Sequence, residues 1–314
     1  MLDKIFTVGF LMSLLASTIR LATPILIPAL GQIYTQRAGV LNLGVEGTMT
    51  IGAVAGFAAA FLSGSLWVGV LGGMFFGGLW SLLMAWLSVT MRANQVIAGI
   101  GLNILGAGLA VYVYRVLFGI RSLPPQVTPF SGIHIPLLSD IPVIGTIFFS
   151  HNLLVYLGFL LVPITWFVLE KTTYGLKIKA VGEHPRAADS KGISVAGIRY
   201  SAIVIGGLYA GAAGAFMSIA YLNNFTEGIV GGRGYIAVAV VIFARFLPGR
   251  AMWGALLFGF ASALQMRLQA LGIDIANQLL LMLPYVMTII ALVFASKKAN
   301  FPSAYTIPYS RLER

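Results

Sequence analysis

Glu46 carries the sharpest chemistry in this chain. It stands in the stretch RAGVLNLGVEG, residues 37–47, where a long apolar run begins. Hydrocarbon cannot solvate a carboxylate, so one placed there must face water, a cation or protein donors. Asn42 lies four residues earlier, and on a continuous helix the two would share a face. Gly39, Gly44 and Gly47 leave room for a break, and broken helices near a bilayer midplane commonly build transport sites. Arg20, on the preceding apolar run, is the obvious ion-pair partner for Glu46. The pair then either braces the fold or lines a pathway; the residues are compatible with both. Asn103, in GIGLNILGAG, is a lone amide among small residues. It reads first as an interhelical hydrogen bond, with a place in the pathway as the alternative.

The second chemically distinct stretch is Lys171–Arg199, KTTYGLKIKAVGEHPRAADSKGISVAGIR, the one long, strongly charged segment between two hydrophobic halves. Inside it is a short helix signal. Pro185 suits a first helical position, where its missing N–H costs nothing. Glu183 places a carboxylate near the positive helix end. Arg186, Ala187, Ala188, Asp189 and Ser190 give one to two turns, and Gly192 suits the position after the cap. A short helix with small side chains, held between membrane spans, is shaped to dock in a partner's groove. The plainer reading is a basic loop between spans.

Several chemistries are excluded or unsupported. The chain has no cysteine, hence no disulfide, thiol nucleophile or cysteine-ligated metal. His134, His151 and His184 are scattered and suggest neither a metal site nor a catalytic base. There is no Walker A sequence, and the glycines around Arg233 lack the Lys-Ser/Thr of a phosphate-binding loop. The stretch Asn223–Tyr235 instead reads as a Gly-rich turn entering a span, re-entrant or kinked.

The elements that must position these residues are membrane spans. Of 314 residues, 59% are hydrophobic and 9% charged, and mean hydropathy is +0.93. A soluble domain carries about 25% charge. Runs long enough for a bilayer fall near Leu11–Tyr34, Val40–Leu62, Leu66–Val89, Gln95–Leu117, Leu153–Leu169, Tyr200–Leu222, Tyr235–Leu247, Met252–Gln269 and Leu279–Ala295. The expected fold is therefore all-α: a single polytopic membrane domain over residues 1–314, about nine spans, with room for broken helices and inverted-repeat character. With residues 171–199 placed in the cytoplasm and the runs alternating outward, fourteen basic residues fall inside and five outside, as membrane orientation requires. This puts the C-terminus in the cytoplasm. It also explains the net charge of +11 without nucleic acid as a partner. Met1–Lys4 has one basic residue and the apolar run that follows is long, so no cleavable signal is expected. Gly69, Gly73 and Gly77, like Gly207 and Gly211, recur every fourth position, a spacing for close helix packing.

The charged segment resembles the cytoplasmic coupling loop of binding-protein-dependent ABC permeases of the simple-sugar, nucleoside and branched-chain amino-acid group. The matching residues are Tyr174-Gly175-Leu176, Ala180-Val181-Gly182-Glu183, Pro185, Ala187-Ala188 and Gly192-Ile193. Arg37–Gly47 and Gly232–Ala239 extend the resemblance, which covers about Leu11–Ala295. The Asn-x-Gly-x-Glu-Gly form at Asn42–Gly47 is similar to nucleoside-type permeases, where sugar permeases often carry Asp-Leu-Ser-x-Gly. The length resembles the shorter of two paralogous permeases.

The resemblance implies a non-catalytic subunit of an ATP-driven importer in a bacterial inner membrane. It carries a small polar solute, first a nucleoside, with a simple sugar or branched-chain amino acid as alternatives. Gly182, Glu183, Pro185, Arg186, Ala187, Ala188 and Gly192 would contact the ATPase, and Asn42, Glu46, Asn103 and Arg20 would be candidates for the pathway. The partners implied are a tandem-domain ATPase that uses the ATP, a second permease (a paralogue or another copy of this chain), and an extracytoplasmic binding protein. This chain would bind no cofactor itself. A secondary transporter is the alternative of another class; an intramembrane enzyme lacks a catalytic constellation.

Overall fold

The computed structural model describes residues 8–120, 123–133, 143–270 and 301–310, with isolated positions between them. Eleven α-helices are described: α1 (Val8–Arg37), α2 (Val45–Ser63), α3 (Leu66–Ala85), α4 (Gln95–Phe118), α5 (Ile144–Phe148), α6 (Leu153–Lys171), α7 (Thr173–Glu183), α8 (Pro185–Ser190), α9 (Val195–Phe216), α10 (Arg233–Phe243) and α11 (Pro248–Ala270). α3 and α9 each run on into a five-residue π-helical turn, Trp86–Thr90 and Met217–Tyr221. Among the described residues no strand forms; Gly132 and Asn152 make one isolated antiparallel bridge.

The helices begin and end where local chemistry dictates. Asn94, Asn152, Thr172 and Ser194 each accept a backbone N–H of the first turn, of α4, α6, α7 and α9, which satisfies one of the donors every helix start leaves orphaned. α1 closes with Gly39 at φ +85°. There Gly39 N–H reaches Gln36 O (3.0 Å) and Val40 N–H reaches Thr35 O (3.2 Å), the two bonds of a Schellman ending.

α9 lies at the centre and packs on α1, α2 and α3; α11 and α10 pack on α1, and α4 on α2. Small residues make this approach close. A Cβ on Gly211 would meet Gly73 O, and one on Gly77 would meet the backbone of Gly207 and Gly211. The four-residue glycine spacing thus belongs to the α3–α9 crossing, where contact between backbones replaces the hydrophobic drive that lipid does not supply. Leucine, phenylalanine and tryptophan side chains such as Leu71, Phe75, Trp166 and Trp253 point outward.

Six described helical segments are long and apolar enough to cross a membrane: Val8–Arg37, Val45–Ser63, Leu66–Thr90, Gln95–Phe118, Leu153–Lys171 and Val195–Tyr221. That is fewer than the nine runs expected. The run at Tyr235–Leu247 becomes α10, of only 11 residues, about 16 Å long. α11 has the length, with 23 residues, but is not among the six. Ten of the 17 residues of the run at Leu279–Ala295 lie outside the described residues, as does His134. α7 is an addition: the chain between α6 and α8 is helical, with Gly175, Ile178, Val181 and Gly182 forming its buried face.

Candidate translocation and coupling sites

Glu46 sits in the first turn of α2, and its carboxylate is seated on the start of α10. Gly232 N–H donates to Oε1 (2.7 Å) and Gly234 N–H to Oε2 (2.7 Å). Gly232 has φ +81°, a conformation glycine adopts freely. Gly234 has no space for a Cβ, which would strike the Glu46 carboxylate and backbone. Two helix N-termini, each with a positive dipole end, therefore meet at one carboxylate. The Glu46 carboxylate is thus held by oriented backbone N–H groups, with the positive charge of Arg233 acting on it and not that of Arg20.

Asn103 completes the junction from α4. Its Oδ1 accepts Gly47 N–H (2.8 Å), and its Nδ2 donates to Leu43 O (2.7 Å) and to the Tyr235 hydroxyl (2.8 Å). The amide ties three elements together as an interhelical hydrogen bond. Residues 38–44 are not helical; they climb from the end of α1 to Glu46, pinned on the way where Leu41 N–H meets Gln95 Oε1 (2.8 Å). Asn103 is eight residues into α4 from Gln95, about 12 Å along the axis. The junction thus meets α4 well inside its 24-residue length.

Two sequence expectations change. Asn42 does not share a helical face with Glu46, because α2 begins only at Val45. Asn42 is buried, and its Oδ1 accepts Gly44 N–H at 2.9 Å, closing the turn that starts α2. Arg20 is exposed. It lines a separate opening of about 200 Å³ with Ser17, Tyr221 and Arg267, and its charge is felt by His151. The stretch 222–232 does behave as an entry to α10. Phe225, Ile229 and Val230 are buried along it, and Arg233 donates to Val230 O (2.9 Å) while lying over the Tyr221 ring.

In the charged segment, Pro185 occupies the first position of α8. Gly192 has φ +78°, and Gly192 N–H to Asp189 O (2.9 Å) with Ile193 N–H to Ala188 O (3.0 Å) closes a second Schellman ending. The two alanines separate, however. Ala188 is 4% exposed and packs against Val181 and Val195, whereas Ala187, like Arg186, is exposed. Only Ala187 can meet a partner directly. Gly182 abuts Arg37 O at the end of α1. Glu170, at the end of α6, pairs with Lys179 (2.6 Å) and Arg37 (3.8 Å).

Residues 301–310 lie across this assembly. Ala304 N–H donates to Gly182 O (2.9 Å) and Thr306 N–H to Gly39 O (3.0 Å). Ser303 donates to Glu183 Oε2 through its N–H (3.1 Å) and hydroxyl (2.9 Å). Burial pushes the Tyr305 phenol up, keeping it a neutral donor to Gln36 Oε1 (3.2 Å). Arg199, 1% exposed, donates to Ala38 O (3.2 Å) and Ile307 O (3.0 Å). A groove of about 440 Å³ opens between α8 and this strap, bordered by Pro185, Ala187, Ile307 and Tyr309.

A non-helical segment between two long apolar helices and a charged helix pair beyond the end of a third stand in an all-helical arrangement with six described helices long and apolar enough to cross a membrane. The chain belongs to the family described as branched-chain amino acid transport system / permease component, whose model matches residues 14–292. It is a multi-pass membrane protein of the ABC permease type, a non-catalytic subunit. Among its relatives is a guanosine ABC transporter permease of Bacillus subtilis, 37% identical over 98% of this chain and 99% of the relative. A nucleoside ABC transporter permease of Lactococcus lactis subsp. cremoris is 36% identical over 96% and 98%. A permease of Haloferax volcanii, provisionally named for glucose, is 41% identical over 84% and 80%. Among solved structures, a chain of an ABC transporter in an inward-facing conformation shares the fold at a TM-score of 0.50. It is 16% identical, with 92% of this chain and 88% of the other covered.

Proposed function

We propose that this chain is one of two permease subunits of an ATP-driven importer and forms half of a pathway for nucleosides. The observation that carries the reading is the α7–α8 pair, a charged helical segment between spans whose small exposed residue, Ala187, borders an open groove. Support for the solute comes from the two nucleoside-type relatives, which match almost end to end, whereas the glucose-named relative matches over a shorter share. In this reading residues 171–199 and the C-terminus are cytoplasmic, and α10, α11 and the 279–295 run bring the crossings to about nine. Gly182, Glu183, Pro185, Arg186, Ala187 and Gly192 shape the contact with a tandem-domain ATPase that binds and hydrolyses the ATP; Ala188 supports it from beneath. A second permease, a paralogue rather than another copy, completes the pathway, and an extracytoplasmic binding protein delivers the solute.

Chemically, the pathway asks for alternation between two arrangements rather than for bond-making. Glu46 holds the start of α10, and the exposed Tyr235 beside it presents an aromatic ring of the kind on which a nucleobase stacks. The experiment is solute-stimulated ATP hydrolysis by the purified complex with its binding protein. Guanosine and adenosine are expected to stimulate at micromolar concentration, and glucose, ribose and leucine to leave the rate at its basal level. Stimulation by a sugar or an amino acid and not by nucleosides would overturn the assignment of the solute.

A further inference from the structure

The strap at residues 301–310 touches both the coupling segment and the two elements that end at Glu46. On one edge Ala304 and Ser303 bind Gly182 and Glu183, the last residues of α7 before α8. On the other edge Thr306 binds Gly39, from which the non-helical segment 38–44 climbs to Glu46. On its inner side the rings of Phe301 and Tyr305 stack at 5.2 Å, and both lie edge-on to Phe246, at 5.9 and 6.5 Å. Phe246 closes the far end of α10. Its carbonyl also accepts Arg37 Nε (3.2 Å) and Nη2 (3.1 Å). α10 is therefore a short rod with Phe246 against the strap at one end and Glu46 at the other.

We propose that the strap is the link through which movement of α8 reaches Glu46, with Arg199 as its buried clasp. The proposal rests on reading α8 as the ATPase contact. Arg199 is a positioning residue here: it joins Ala38 O, just beyond α1, to Ile307 O in the strap, placing a cation at the negative end of α1. α8 and the strap are two walls of one groove, so a partner that bears on Ala187 bears on the strap as well. The backbone along the link is strained. Thr306 (φ 63°), Arg245 (φ 51°) and Phe246 (φ 60°) are left-handed without being glycine. Such conformations persist only where the surroundings over-determine them, and they gather at switch regions. Transmission needs an element with two arrangements that both sites bias; the strained corner at Arg245–Phe246, with α10 attached, is that element.

The test uses the full complex of permease, ATPase and binding protein. One variant ends at Asn300; a second, Ala304→Pro, keeps the strap but removes the N–H that binds Gly182 and so carries the same test without a deletion. Permease level in the membrane, co-purification of the ATPase, and the ratio of solute-stimulated to basal hydrolysis are measured together. The link predicts that Ala304→Pro retains the ATPase within twofold while the stimulation ratio falls at least fivefold, and that the shortened chain loses stimulation further. An unchanged ratio in both variants, or a loss merely proportional to lost ATPase, overturns it. Ala187→Glu in the same assay separates the two levels. If it abolishes co-purification while the strap variants keep full stimulation, the link alone falls; if it too is without effect, the ATPase reading falls with it.

Discussion

Glu46 owes its place in an apolar setting to two backbone amides, and this sets what its replacement does. A glutamine would accept from one amide and point its own NH2 at the other, so one charge-assisted bond is lost and one N–H is orphaned, at about 2 kcal/mol. Glu46→Gln is expected to loosen the start of α10 and cut uptake at least tenfold at equal membrane level; uptake at the wild-type rate would show that the carboxylate is dispensable. Ala188 makes a contrasting case. It is packed under α8, and Ala188→Glu would bury an unpaired charge against Val181 and Val195 at a cost of roughly 3 kcal/mol. Lower permease abundance and a lower thermal midpoint are expected there, before any effect on a partner; normal abundance and midpoint would count against this packing. Glu46, Asn103 and the alanine pair stand out in the sequence because a carboxylate or amide in an apolar run and an Ala-Ala beside Pro are local signals. The expected pairing of Glu46 with Arg20 and the helical face shared with Asn42 do not form. The true partners are backbone N–H groups 186 and 188 residues away in sequence, and backbone carries no residue signature.

At the level of elements, legibility followed locality. Pro185 and Gly192 announced the two ends of α8, since a missing N–H and a left-handed ending are properties of single residues. α10 stops at Phe243, four residues before the end of the expected run at Leu247, because Arg245 and Phe246 turn left-handed, a conformation that neither residue type announces. The strap was unreadable: it is held by main-chain bonds to Gly39 and Gly182, which nothing in its own residues foretells. The segment between α4 and α6 offers a test in pH. His151 is buried, its Nε2 lies 2.8 Å from Ile147 O, and burial, with Arg20 nearby, pushes its imidazole below the ordinary value. A depressed pKa means that the folded state favours the neutral ring. Its contribution is therefore complete above about pH 6.5, the free-imidazole value, and is lost as pH falls through the lower folded value. The thermal midpoint of detergent-solubilised protein is expected to drop between pH 7.5 and 5.0, and His151→Gln to flatten that drop. An identical slope in the variant would remove His151 from the account.

For the whole molecule, apolar runs gave the six long spans, while the orientation rests on charge. Lys171, Lys177, Lys179, Arg186 and Lys191 cluster at one end of the spans, and the loop beyond Phe118 is almost free of basic residues. Because the chain has no cysteine, Ser131→Cys and Ser190→Cys report without background. A membrane-impermeant thiol reagent is expected to label the first in intact cells and the second only after lysis; the reverse would invert the topology. Coupling to ATP is the claim on which the rest depends, and radiolabelled guanosine uptake into proteoliposomes holding the permeases, ATPase and binding protein tests it most directly. Uptake is expected only with ATP on the ATPase side and is expected to be indifferent to an imposed proton gradient. Uptake driven by the proton gradient without ATP would contradict the account and make the protein a secondary transporter.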